Sequence, residues 1–81
     1  MTHKEWRELI FARDGGYCQW CGGVGTDPHH IVSRGAGGKD VPENGILLCR
    51  ECHGKAHAGQ ISRDDLKAIL RRRGILTGDS S

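Results

Sequence analysis

With 81 residues the chain has room for one domain, and a chain this short buries a smaller share of its surface than a larger domain does. Hydrophobic residues make up 36% and aromatics 5%, while thirteen glycines add to the entropy lost on folding, so a staple beyond the core is expected. The formal charge of +2 permits nucleic-acid binding without demanding it, no apolar run approaches the ~20 residues of a membrane span, and Lys4, Glu5, Arg7 and Glu8 occupy the place of a secretory signal's apolar stretch.

In chain order, Thr2-His3-Lys4-Glu5 has the form of a capping box, with Trp6, Leu9 and Ile10 following at helical spacing. The pattern predicts a helix from His3 to Arg13, stopped by Asp14-Gly15-Gly16, with His3 as a solvent-exposed first-turn residue. Tyr17 to Gly23 then reads as a zinc knuckle around Cys18 and Cys21. A single C-x2-C has redox readings too, but a second pair, Cys49 and Cys52, offers four thiolates at the spacing that suits a tetrahedral zinc. The expected compartment is a reducing one, the cytoplasm of a bacterial or phage-infected cell, where thiols bind zinc rather than pair as disulfides.

Between the knuckles lies an insert longer than a simple zinc ribbon needs. His29-His30-Ile31-Val32 predicts a short strand, Ser33 to Asp40 a glycine-rich loop, and Ile46-Leu47-Leu48 a second strand reached through the Asn44-Gly45 turn signal. Gly35 to Lys39 superficially resembles a phosphate-binding P-loop, but Ser33 and Asp40 occupy positions that this motif reserves for other residues. Cys49 to Ala58 predicts a short helix closed by Gly59. There Cys49 and Cys52 share one face and His53 and His57 an adjacent one, so one helix serves two metal sites. Gly54 weakens that helix by ~1 kcal/mol relative to alanine. A last helix starts at Ser62, carries Leu66, Ile69 and Leu70 on one side and ends in Arg71-Arg72-Arg73. That arginine run suits both the helix dipole and contact with a nucleic-acid backbone. Ile75 and Leu76 are expected to fold back on the core and Thr77 to Ser81 to fray.

Hydrolysis of a phosphodiester needs an activated water and a cation to stabilise charge on the phosphoryl oxygens. Histidine serves both needs, because its unperturbed pKa of ~6.5 leaves much of it neutral at pH 7. The sequence has no paired carboxylates of glycosidase type and no Ser/His/Asp grouping, so the histidines are the candidates.

The ordered set Cys18-x-x-Cys21, His29-His30-Ile31, Gly37-Gly38, Pro42-Glu43-Asn44, Leu48-Cys49-x-x-Cys52-His53 and His57 resembles the HNH endonuclease family, of the small zinc-knuckle type found in phages and bacteria. The resemblance implies a small α+β fold: a ββα-metal core, a splayed β-hairpin plus helix, stapled by a four-Cys zinc site and flanked by N- and C-terminal helices. One domain would span 1–81, with the N-terminal helix in 1–16, knuckles and ββα-metal core in 17–59, the C-terminal helix in 60–76 and a frayed tail in 77–81. It further implies that His30 is the general base. His29, His53 and His57 would be ligands of a catalytic divalent ion, His57 matching a helical ligand of the colicin-like branch. Asn44, within the catalytic set, would hold the loop carrying His30.

The expected function is therefore a metal-dependent DNA endonuclease that nicks or cuts with low sequence specificity. Arg34, Lys39, Arg50 and Lys55 would meet phosphates, and no separate element is left to read base edges. Four thiolates saturate a structural zinc, whereas two or three imidazoles leave positions open; magnesium, manganese, nickel or zinc would suit the latter. The alternatives are a non-catalytic zinc-ribbon nucleic-acid-binding module and a nuclease accessory of a phage DNA-packaging machine. Partnership with DNA, no membrane, and either a homodimer or a larger phage or bacterial complex complete the expectation. Two points carry structural risk: Gly45 stands where a large apolar residue is common, implying looser packing, and a straight strand would aim His29 and His30 apart.

Overall fold

The computed structural model describes residues 1–76; the expected frayed tail, 77–81, lies outside them. Helix α1 spans His3–Arg13 and is opened by the Thr2/Glu5 capping box, in which each side chain bonds the other residue's backbone N–H. Strands β1 (Asp27–His30) and β2 (Gly45–Leu48) form an antiparallel pair, joined through short 3-10 turns at Arg34–Ala36 and Pro42–Asn44. Helix α2 covers Arg50–His57 with Cys49 as N-cap, its sulfur accepting from the Cys52 N–H. Helix α3 covers Arg63–Arg72 behind a Ser62/Asp65 capping box. The fold is thus a small α+β domain with a two-stranded hairpin, three helices and a cluster of four cysteines that suits zinc.

The hairpin separates two apolar clusters, and strand alternation explains why. Ile46 and Leu48 face a cluster that includes Ile31, Ile61, Leu66, Ile69 and Leu70, against which Ile75 and Leu76 pack. Leu47 faces the other way, onto Trp6 and Ile10 of α1. All four residues of β2 are buried, so this strand is a shared wall.

Two expectations are corrected. The first strand begins two residues earlier than His29 and ends at His30, not Val32, because the Asn44 side chain takes over the backbone of Val32. Its Oδ1 accepts from the Val32 N–H at 2.8 Å and its Nδ2 donates to the Val32 carbonyl at 3.0 Å, replacing the ladder with a side-chain clamp. Gly45, in turn, does not loosen the packing. A Cβ there would lie 2.6 Å from Ile10 Cδ1 and from Trp6 Cζ2, so its bareness is what lets α1 close on the hairpin.

The far ends of the chain meet at Asp14, a buried carboxylate that sequence alone presents only as a helix stop. It accepts from Arg13 through Nε (2.8 Å) and Nη2 (3.0 Å), from Arg73 Nη1 (2.6 Å) and from the Leu47 N–H (2.8 Å). Burial opposes its ionisation, but the two guanidinium groups outweigh that and hold its carboxyl below the usual range. Arg73 is thereby committed to structure, bonding Gln19 as well, so the arginine run divides.

Candidate metal centres and nuclease site

The four cysteine sulfurs lie within 4.8 Å of one another, and no disulfide joins them. A tetrahedral zinc with bonds of about 2.3 Å sets its sulfurs about 3.8 Å apart, which is the Cys21–Cys49 Sγ separation of 3.8 Å. Without a cation these thiols conflict. Burial opposes the charge on Cys18, yet backbone N–H groups of Cys21, Cys49 and Trp20 outweigh it and bring the thiol down to about 6. Cys52 is pushed up, by burial first and by its three thiol neighbours next. A zinc ion would ease that conflict by favouring the thiolate form of all four and offsetting part of their mutual repulsion.

A second donor cluster joins His29 from β1 with His53 and His57 from α2, their ring nitrogens again within 4.8 Å of one another. His53 Nε2 and His57 Nε2 stand 3.0 Å apart, close to the ~3.3 Å that two imidazoles adopt on one ion at bonds of about 2.0–2.1 Å. The His53 Nδ1–H points to Asp27 Oδ2 at 2.9 Å, which leaves Nε2 as the free donor. His29 is brought down to about 4, by burial first and then by the neighbouring imidazoles, so it stands neutral, the state in which histidine binds a cation. Asp27 is held below the usual carboxylate range: burial opposes this, and the bond to His53 outweighs it.

His30 turns away from this cluster. Its ring lies on the Trp6 indole, with centroids 3.9 Å apart and planes 6° from parallel, and its Nε2 lies 2.7 Å from Asp40 Oδ1. The hydrogen bond to His30 holds the Asp40 carboxyl down. His29 and His30 therefore do aim apart, as strand geometry requires. Because β1 ends at His30, both still line one cleft of about 550 Å³, together with Ser33, Arg34, His53, His57, Ile61 and Arg63. Asn44 reaches no ring; besides Val32 it bonds the Lys39 carbonyl at 3.0 Å. Gly38 permits this closeness, since a Cβ there would meet the Val32 carbonyl oxygen and stand 2.8 Å from Asn44 Nδ2.

Of the four basic residues read as phosphate contacts, Arg34 alone lines the cleft. Lys55 lies 3.9 Å from Glu51 on an exposed face of α2, and Arg50 is exposed at the start of that helix. Arg63, not foreseen, reaches the cleft from the first turn of α3. Asp27 was legible in principle, because it stands two before His29 and so shares its face. Asp40 had no local signal.

A protein-family model described as HNH endonuclease matches residues 17–59, more than half of the chain. The chain belongs to the HNH endonuclease family. The matched segment of this HNH domain holds the four-cysteine cluster, the His29/His53/His57 cluster, the hairpin and α2. Helices α1 and α3, which supply Trp6 and Arg63, lie outside it. No match appears among curated proteins or solved structures. The family carries a nuclease-type function with metal binding and a nucleic-acid substrate, and no helix among the described residues is long and apolar enough to cross a membrane.

Proposed function

We propose that this HNH protein is a metal-dependent DNA endonuclease that hydrolyses phosphodiester bonds with low sequence specificity. The observation that carries the reading is the convergence of His29, His53 and His57 in a cleft that His30 also lines. The first three residues would hold a divalent ion, and the Cys18/Cys21/Cys49/Cys52 set would hold a structural zinc. When bound in the histidine cluster, the ion supplies positive charge to the phosphoryl oxygens and the leaving group. Asp27 fixes the His53 tautomer, so that its Nε2 is presented without a search over ring orientations.

His30 takes the proton from the attacking water. The Asn44 clamp on Val32 holds the end of β1 and with it the His30 backbone, the kind of prepositioning that lowers the entropic part of a barrier. Arg34 and Arg63 border the cleft with fixed positive charge and suit a phosphodiester backbone. Lys39, Arg50 and Lys55 act further out along the strand. Phosphate contacts of this type position DNA without reading bases, hence the low specificity.

Supercoiled plasmid incubated with the protein and magnesium, manganese, nickel or zinc in turn tests this. At least one ion should support nicking or linearisation, and His30→Ala should slow it by roughly 100- to 10,000-fold, the range general-base catalysis supplies. Absence of cutting with every ion overturns the activity; wild-type cutting by His30→Ala overturns the assignment of the base.

A further inference from the structure

We propose that Asp40 is a positioning residue that fixes the tautomer and direction of the His30 ring, with Trp6 of α1 as the platform on which that ring rests. The inference deepens the nuclease reading and rests on it. Asp40 Oδ1 lies 2.7 Å from His30 Nε2, and both side chains are only 15% exposed. A carboxylate only accepts, so Nε2 carries the hydrogen and Nδ1 is the one ring nitrogen left with a lone pair for water. The carboxylate is itself held from outside: its other oxygen lies 3.5 Å from His3 Nδ1.

The indole removes the ring's remaining freedom. Trp6 is fully buried and its Nε1–H donates to the Val41 carbonyl at 2.9 Å, within the same loop that carries Asp40. A partial rotation of His30 about its Cβ–Cγ bond would break the parallel stack at 3.9 Å, and a full ring flip, which would keep the stack, would break the bond to Asp40. His3 and Trp6 come from a helix outside the matched family segment, so α1 is part of the site rather than a support beneath it.

The test compares wild type, Asp40→Ala and Asp40→Glu, each loaded with zinc at the cysteines and checked by zinc content and thermal melting. Long-range 1H–15N spectra of the histidine side chains read the tautomer, with the His30 signals assigned by their loss in His30→Ala. Wild type should show His30 as the Nε2–H tautomer, Asp40→Ala a mixture, and Asp40→Glu a partial return. Plasmid cleavage by Asp40→Ala should lose roughly 10- to 100-fold in kcat at unchanged KM, with partial rescue by Asp40→Glu. Should Asp40→Ala fail to fold, the near-isosteric Asp40→Leu, which offers no acceptor, replaces it, and wild-type kcat there overturns the proposal. An unchanged His30 tautomer in Asp40→Ala, or kcat within about twofold of wild type, overturns it as well. If wild type cuts no DNA, the nuclease reading fails, and the spectra alone decide the role of Asp40.

Discussion

Gly45 shows how one residue without a side chain sets the geometry of a catalytic candidate. It pairs with His30 across the hairpin, so their Cβ positions would share a face, and the vacancy is filled by the Trp6 and Ile10 side chains. A methyl group there meets two fully buried side chains at 2.6 Å, and overpacking of this kind costs roughly 1–3 kcal/mol. Gly45→Ala should therefore lower the unfolding free energy by that amount, seen as a lower denaturant midpoint, at unchanged zinc content; a variant as stable as wild type would mean that α1 is free to shift. The example also marks where sequence reading stopped. The histidines and cysteines were legible because metal chemistry demands those residue types at helical and knuckle spacings. Apart from the adjacent Arg13–Asp14 pair, the residues that hold them, Asp14, Asp40, Trp6 and Gly45, act on partners ten or more positions away, and nothing in their immediate neighbours encodes the meeting.

At the scale of elements, α2 joins the cysteine cluster to the His29/His53/His57 cluster. Its N-cap Cys49 and first-turn Cys52 face the zinc set, while His53 and His57 project toward the cleft. The helix is only eight residues long, and a helix of that length is marginal by itself. Its closing Gly59 and its Cys/His spacing were readable from the sequence; metal held by those residues is expected to add to its stability. Gly54 isolates this contribution, because it sits inside the helix with open space around a Cβ and without the positive backbone angle that would require glycine. Gly54→Ala should stabilise the protein by about 0.5–1 kcal/mol through lower unfolded-state entropy, seen as a higher melting temperature. A lower melting temperature would show that position 54 carries a contact or strain absent from this fold.

On the scale of the whole molecule, the question is what holds an 81-residue chain together when its apolar core is split in two by a hairpin. Asp14 ties α1, β2 and the end of α3, but breaking such a buried network costs about 3–5 kcal/mol at most. A structural zinc contributes far more, with apparent binding free energies of about 10–16 kcal/mol against total stabilities of about 5–15 kcal/mol for ordinary domains. The cysteines that would hold it come from the loop before β1 and from the start of α2, so losing the ion frees α2 from one side of its packing. His53 and His57 then lose their fixed relation to His29, and affinity at the histidine cluster should fall with the fold. Chelating zinc at neutral pH should thus abolish cooperative melting and remove second-ion binding measured by calorimetry, and one equivalent of zinc should restore both. By contrast, His53→Ala should lose the second ion while keeping zinc at the cysteines and the melting transition. Retention of the full melting transition by the chelated protein would place its stability in the split core and the Asp14 network instead.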